Sequence, residues 1–205
     1  MSVPAPATGR LTSMMWWVAA GWGAAIALAG AAEVFSAPGV PPFALGLAVA
    51  APPLLVVGLL AWSAPFRAWA RALDLRVLTA LQMWRVLGFG FIAAWAVGGL
   101  PAGFALPAGL GDVLVGLTAP LVAARWTAPT ASARRIFYGW TAFGVLDLLL
   151  AVTLGVLHSP SILGILATTP DTAAMARLPM VLIPAFLVPA MLALHAISLV
   201  NARRN

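Results

Sequence analysis

Long apolar stretches alternate with short polar segments along the whole chain. Each stretch holds about 19 to 23 residues, and about 20 residues at a rise of ~1.5 Å per residue cross a hydrocarbon core of roughly 30 Å. The pattern predicts an all-α, polytopic membrane protein, a bundle of six transmembrane helices that forms one domain over residues 14–200. The predicted spans are Met14–Ala32, Phe43–Ala64, Leu81–Leu100, Ala105–Ala124, Ile136–Leu157 and Leu178–Val200.

The arginines are distributed unevenly between these spans. Nine of the eleven lie in alternate gaps or at the termini, Arg85 falls inside the third span, and the opposite gaps hold only Arg177. Because Lys and Arg are retained on the cytoplasmic side, both termini are predicted to face the cytoplasm. The nine are Arg10, Arg67, Arg71, Arg76, Arg125, Arg134, Arg135, Arg203 and Arg204.

Three segments outside the spans have predictable character. Residues 1–13 and 201–205 are expected to form cytoplasmic tails, the first of them disordered. Residues 65–80 predict an amphipathic helix in the cytoplasmic interface; a plain cytoplasmic extension of the third span is the alternative. One side of that helix would carry Phe66, Trp69, Leu73, Val77 and Ala80, and the other Arg67, Arg71 and Asp74.

The first span also has features of a signal peptide. Arg10 precedes an apolar run, and Ala29-Gly30-Ala31 resembles a cleavage site. The run is long for a signal peptide, and it places small residues at helical spacing, such as Gly21 and Ala25. Retention as a helix is therefore favoured, and cleavage stays the alternative.

Composition excludes a water-soluble globule. The chain is 63% hydrophobic and 8% charged, whereas soluble domains carry ~25% charged residues. The net charge of +6 is spread over helix ends, so anionic lipid headgroups are the expected partner and nucleic acid is not. The exclusive use of arginine over lysine is typical of a GC-rich bacterial genome, which predicts the bacterial inner (cytoplasmic) membrane. A homo-oligomer and a membrane partner both stay open.

Several motifs resemble those of a known group of proteins. The stretch from Arg85-Val-Leu-Gly-Phe-Gly-Phe through Leu100-Pro-Ala-Gly-Phe to Gly109-Leu-Gly-Asp112 is similar to sequences in a family of uncharacterised bacterial multi-pass integral membrane proteins. Gly144-Val-Leu-Asp147 and Leu178-Pro-Met-Val-Leu-Ile-Pro184 extend this likeness. The resemblance covers about the last two-thirds of the chain. It implies a bundle of membrane helices and carries over no activity.

Charged side chains inside the spans define a candidate proton, ion or substrate site. Asp112 and Asp147 fall near the middle of the fourth and fifth spans, and a charge there costs ~2.5–3.5 kcal/mol on insertion scales. Arg85 and His195 lie nearer the cytoplasmic ends of the third and sixth spans. Arg85 can snorkel outward or pair with either Asp, and His195 is expected to make a hydrogen-bonded interhelical contact.

Prolines occur at the same depth as the two carboxylates. Pro52 and Pro53 lie in the middle of the second span, and Pro184 and Pro189 lie in the sixth. Proline removes a backbone donor and frees a carbonyl one turn earlier, so breaks are predicted in both helices. Transporters build ion and substrate sites at such discontinuous helices.

The sequence gives little support to catalysis or to a cofactor. There is no cysteine, no motif typical of a nucleotide or metal site, and no serine with a base beside it, so no catalytic residue, metal or cofactor is predicted. His158 and His195 are separated by about 20 Å along the membrane normal at ~1.5 Å per residue, which excludes one bis-histidine haem.

Three functional hypotheses remain. The first is a small proton-coupled transporter or permease subunit, in which Asp112 and Asp147 bind the proton, Arg85 tunes them and His195 relays. The second is a structural or accessory membrane protein whose buried polar groups hold the bundle together. The third is a haem or quinone redox subunit.

Overall fold

The computed structural model describes residues 6–36, 38–126 and 130–203, which form helices and connecting turns without a strand. Six helical stretches in this part of the chain are long and apolar enough to cross a membrane, as predicted. These six helices suggest a multi-pass membrane protein. Its α-helices are α1 (Pro6–Ala31), α2 (Phe43–Trp62), α3 (Ala64–Ala72), α4 (Leu75–Ala80), α5 (Phe89–Ala96), α6 (Ala102–Arg125), α7 (Ala131–Leu157) and α8 (Val188–Ala202).

The first helix starts earlier than the sequence predicts. α1 begins at Pro6, so residues 6–13 are helical rather than part of a disordered tail. The first part of α1 packs against the rest of the bundle. Leu11 and Met15 contact an apolar cluster, and the Thr12 hydroxyl accepts a hydrogen bond from Trp69 Nε1 at 3.1 Å. Residues 1–5 lie outside the described part of the chain. At the other terminus α8 runs to Ala202, and Arg204 and Asn205 are also outside it.

The predicted amphipathic helix over 65–80 is two short helices instead of one. α3 starts at the N-cap Ser63, whose hydroxyl accepts from the Phe66 amide, and it ends before Leu73. Asp74 then caps α4 by accepting from the Arg76 amide at 2.8 Å. The break shifts the buried face: Phe66 and Trp69 are buried as expected. In α4, however, the buried side chains are Leu75, Leu78 and Thr79, while Val77 is 55% exposed.

The third span changes helix type along its length. It runs from Leu75 to Ala96, but its middle, Leu81–Gly88, is a 3₁₀ helix between α4 and α5. A 3₁₀ stretch of eight residues is long, since such helices rarely exceed three or four residues and often mark functional or strained positions. The third span was predicted at Leu81–Leu100, and the membrane-capable stretch in the structure instead starts at Leu75 and ends at Ala96.

The prolines act differently in the two spans where breaks are predicted. The break predicted at Pro52 and Pro53 is absent, since α2 continues as an α-helix through both residues; membrane helices tolerate proline where neighbouring groups satisfy the freed backbone carbonyls. The sixth span is interrupted: residues 178–181 form turns, Ile183–Leu187 is a π-helix that contains Pro184, and α8 follows with Pro189 in its first turn. The predicted helical start at Leu178 therefore moves to Ile183.

α6 lies at the centre of the bundle. Half of its most apolar 18-residue window is buried (50%), against 11% for α1 and for α2. It packs on the third span and on α7, while α8 packs on α2, α3, α4 and α7. We call the end of the bundle where most arginines lie the arginine-rich end. An apolar cluster holds the helix ends together there, and its buried residues include Leu60, Phe66, Trp69, Val122, Trp126, Phe137 and Ala202.

Candidate functional site

Arg85 reaches the core because of the 3₁₀ segment. A 3₁₀ helix has three residues per turn, so residues three apart lie directly above one another. The buried residues of Leu81–Gly88 are Gln82, Arg85 and Gly88, which form one such line. In an α-helix, at 3.6 residues per turn, the same three residues would drift around the axis. The local helix type thus directs both side chains into the bundle, where the Gln82 amide bonds to α8 and the Arg85 guanidinium bonds to α6 and α7.

The Arg85 guanidinium binds both candidate carboxylates. Its Nε donates to Asp112 Oδ1 at 2.7 Å, and its Nη2 donates to Asp147 Oδ2 in a short ion pair. Its Nη1 donates to the Gly144 carbonyl at 2.9 Å. The third, fourth and fifth spans are therefore linked through one side chain that is 2% exposed. We call Arg85, Asp112 and Asp147 the charge triad.

Glycines let the three helices approach closely enough to form these pairs. Gly88 lies against the Asp112 side chain and Gly111 lies against the Asp147 carboxylate, so a Cβ at either position would overlap with those atoms. Gly116 lies against the backbone of Arg85 and Val86. Small residues at such crossings are what allow membrane helices to bring their backbones together. The triad depends on this close packing.

The two Gly-x-x-Asp motifs place a glycine one turn before each carboxylate. Residues three apart share a helix face, so Gly109 precedes Asp112 and Gly144 precedes Asp147 on the faces that meet the third span and α8. A Cβ at Gly144 would lie 2.8 Å from His195 Nε2 and 3.1 Å from Arg85 Nη1. Gly144 thus makes room for both basic side chains.

His195 lies at the triad but does not make the hydrogen bond expected of it. The side chain is 1% exposed and packs edge-on against Trp140, with ring centroids 5.6 Å apart. Its Nε2 faces Gly144 and has no hydrogen-bond partner within the described residues. The interhelical contact is present, and it is formed by packing. His195 Nε2 is therefore available for a hydrogen bond.

Two further buried polar residues were not anticipated. Gln82 donates from Nε2 to the Met191 carbonyl at 3.1 Å, and its Oε1 has no partner among the described residues. The Thr141 hydroxyl also has no hydrogen-bond partner among the described residues, and Thr141 is 1% exposed. The position of Gln82, three residues before the intramembrane Arg85, was a sequence signal that could have identified it as part of the site. We call Gln82, Thr141 and His195 the polar layer.

The triad lies between this polar layer and a cavity. Gln82 precedes Arg85 and Thr141 precedes Asp147 along helices that start at the arginine-rich end, so the polar layer lies on that side. A cavity of about 170 Å³ opens towards the other end, between the 36–42 turn, the end of α7 and the π-helix, and Asp112 lines it. Pro184 is also in its wall, whereas Pro52, Pro53 and Pro189 are not among its lining residues.

A second cavity lies directly beside the triad. It measures about 30 Å³ and is lined by Arg85, Asp112 and Trp84. A site of at least ~10–15 Å³ with polar partners can hold a water molecule. The triad therefore has room for water as well as access to the larger cavity.

The two histidines occupy separate places. His158 lies at the end of α7, where its Nδ1 is 2.9 Å from the Leu154 carbonyl and its ring packs against Gly103. His195 packs against Gly144 instead. In the described residues no group of three or more His, Cys, Asp or Glu side chains converges as a metal site would.

Comparison with known proteins assigns a family. The model described as domain of unknown function DUF8737 matches residues 42–203, which include the whole triad, the polar layer and the cavity floor. The chain belongs to this family, and α1 lies outside the matched region. No curated protein and no solved structure matches the chain.

Proposed function

We propose that this protein is a small proton-coupled membrane transporter or permease subunit, with the charge triad as its proton site. The observation that carries the proposal is the ratio of charges: two carboxylates share one guanidinium in the interior of the bundle. If both carboxylates are ionised, the triad carries one negative charge. A buried net charge is costly in an apolar surrounding, and binding one proton removes it.

The surroundings of the triad support exchange of that proton. On one side the larger cavity reaches Asp112. On the other side the polar layer offers an imidazole nitrogen, an amide oxygen and a hydroxyl without partners among the described residues. Such groups are what a water-assisted proton path requires. In this proposal His195 relays the proton towards the arginine-rich end, and Arg85 holds the two carboxylates in place.

The orientation belongs to the same proposal. The positive-inside rule puts the arginine-rich end in the cytoplasm of a bacterial cell, with both termini there and the cavity open to the outside. Basic side chains at that end, such as Arg125, would contact anionic lipid headgroups. Arg67 is occupied differently, because its Nη1 donates to the carbonyls of Leu60 and Ala61 at 2.8 and 2.7 Å.

Infrared spectroscopy of the purified protein in lipid tests the proton site. The carbonyl band of a protonated carboxyl is expected to titrate in the wild type and to be lost in either Asp112→Asn or Asp147→Asn. Substrate-linked proton movement is expected to stop in the double variant. Carboxylates that stay ionised down to low pH, or a double variant with full proton movement, would contradict the proposal.

A structural role is the second candidate, and one observation favours it. Arg85 alone joins three spans through its three nitrogens, which is also what a fixed interhelical staple would do. In that case both carboxylates are permanently ionised, and Asp147→Asn lowers thermal stability without changing any titrating band. The infrared experiment therefore separates the two candidates.

A further inference from the structure

Asp112 is the member of the charge triad that faces the larger cavity. Its side chain is 9% exposed, against 5% for Asp147 and 2% for Arg85, and it alone of the three lines that cavity. One of its oxygens, Oδ1, accepts the hydrogen bond from Arg85 Nε. A ligand that enters the cavity therefore meets a carboxylate, with the guanidinium behind it.

The charge at the floor of the cavity selects for a cation. The triad can carry one excess negative charge, so a single positive charge neutralises it as well as a proton does. The exposed Arg177 lines the wall of the cavity, at the end of the long connection before the sixth span. Because Arg177 is exposed, solvent ions screen its charge over a Debye length of about 8 Å. Cation binding at Asp112 is thus favoured by the nearer, buried charge.

The walls of the cavity select for an organic cation. They are almost wholly apolar and include Phe35, Phe91 and Phe104, of which the last two pack with ring centroids 5.3 Å apart. Inorganic cations such as Na⁺ and Ca²⁺ need several oxygen ligands to replace their water. Aromatic faces instead attract alkylammonium groups, which give up their hydration easily. The hydroxyls of Ser159, Ser161 and Thr172 line the cavity at the end of α7, where Ser159 and Thr172 donate to α7 carbonyls and Ser161 bonds to Ser159.

We propose that this cavity binds an amphipathic organic monocation, a hydrophobic amine or quaternary ammonium, with its charged end at Asp112 in place of the exchangeable proton. The inference rests on the proposed function and names its substrate class. The exchange is balanced: the protonated triad releases one proton and the cation takes its place, with no change in net charge. A protein with such a site exchanges protons for organic cations.

Calorimetric titration of the purified protein in detergent tests this assignment. The probe is benzyltrimethylammonium, and the matched control ligand is neopentylbenzene, which has the same shape without the charge. Titration in two buffers of different ionisation enthalpy measures the affinity and the protons released per cation bound. We expect saturable binding of the cation with release of one proton, and at least about tenfold weaker binding of the neutral compound.

Variants locate the site. Asp112→Asn is expected to weaken cation binding at least about tenfold, whereas Asp171→Asn, which removes a carboxylate near the cavity mouth, leaves it within about twofold. Because Asp112→Asn also disturbs an ion pair, Val152→Phe provides a second variant: it fills part of the cavity, keeps the triad and is expected to weaken binding too. Val152 lies in the cavity wall.

The outcomes separate the two proposals. Equal binding of the charged and the neutral compound, or unchanged binding in both Asp112→Asn and Val152→Phe, would overturn the substrate class. If the carboxyl band of the wild type still titrates in that case, the proton site stands without this ligand. If the band is missing as well, both proposals fail together.

Discussion

At the arginine-rich end of the bundle Arg67 and Asn201 bind backbone carbonyls, whereas at its centre Arg85 also binds two carboxylates. At the arginine-rich end, Arg67 caps the last turn of α2, and Asn201 Nδ2 donates to the carbonyls of Ala70, Arg71 and Leu73 at 2.9, 3.3 and 2.6 Å. These groups satisfy carbonyls that every helix leaves unpaired at its C-terminus. At the centre, charges are unequal and three polar atoms have no partner in the described residues.

This difference leads us to expect that substitutions in the two regions have different effects. A capping side chain completes a helix end and has no further capacity, so its effect is on stability alone. An unequal charge cluster with unpartnered neighbours costs stability, and proteins retain such features mainly where they function. Substitutions at the arginine-rich end are therefore expected to change stability alone, whereas substitutions at the centre are expected to change proton exchange as well.

The largest effect is expected for Arg85→Met. It leaves two buried carboxylates without a partner, and breaking a buried ion pair costs about 3–5 kcal/mol. Thermal unfolding of the purified protein in detergent measures this loss. The triple variant that adds Asp112→Asn and Asp147→Asn should recover most of it, and Arg76→Met, at an exposed site, should change stability by less than about 0.5 kcal/mol. A stable single variant would contradict the role given to Arg85.

A smaller loss is expected for Gly111→Ala. The added methyl group meets the Asp147 carboxylate, so α6 and α7 must separate, at a cost of about 1–3 kcal/mol. Gly139→Ala on α7 is the matched control, since its Cβ would meet nothing within 4 Å and alanine favours a helix by up to ~1 kcal/mol. Chemical or thermal unfolding in the same detergent compares them. Equal stabilities would mean that the close approach is not required.

Asn201→Ala should lower stability while leaving the centre unchanged. It removes a donor shared by three carbonyls of α3 and its C-cap, and a net hydrogen bond contributes about 0.5–1.5 kcal/mol. The carboxyl infrared band should titrate as in the wild type. A changed band would show that the arginine-rich end and the charge triad are coupled.

The smallest effect on stability is expected for Thr141→Val. Valine has nearly the same shape and removes an unpartnered hydroxyl, so the free energy of unfolding should stay equal or rise by up to ~1 kcal/mol. Proton movement in liposomes should nevertheless slow, because the polar layer loses one member. Thr153→Val is the control, since that hydroxyl donates to the Leu149 carbonyl on an exposed part of α7. Unchanged proton movement in Thr141→Val would remove this residue from the path.

The sequence was sufficient for the spans because a bilayer tolerates few alternatives to a helix about 20 residues long. It also singled out Arg85, Asp112, Asp147 and His195 as candidates, since ionisable residues are rare in such segments. Their convergence was not predictable: Arg85 was expected to pair with one Asp or to snorkel, and the structure shows it bound to both.

What the sequence did not reveal depends on packing between helices. The 3₁₀ segment contains no proline and a glycine only at its last residue, and its line of Gln82, Arg85 and Gly88 is recognised only from the helices packed against it. Likewise, the sequence places Pro52 and Pro184 in the same setting, inside a long apolar span. Pro52 is absorbed inside a continuous helix, whereas Pro184 falls where the chain enters the sixth span and forms a π-helix.

The 3₁₀ segment also ties the position of Arg85 to the length of the third span. At ~2.0 Å per residue instead of ~1.5 Å, the eight residues of Leu81–Gly88 extend ~16 Å rather than ~12 Å. Rewinding them as an α-helix would shorten the span by about 4 Å and turn each successive member of the line by about 60°. The length of the third span, which a bilayer would have to match, and the direction of the Arg85 guanidinium therefore change together with the helix type of Leu81–Gly88.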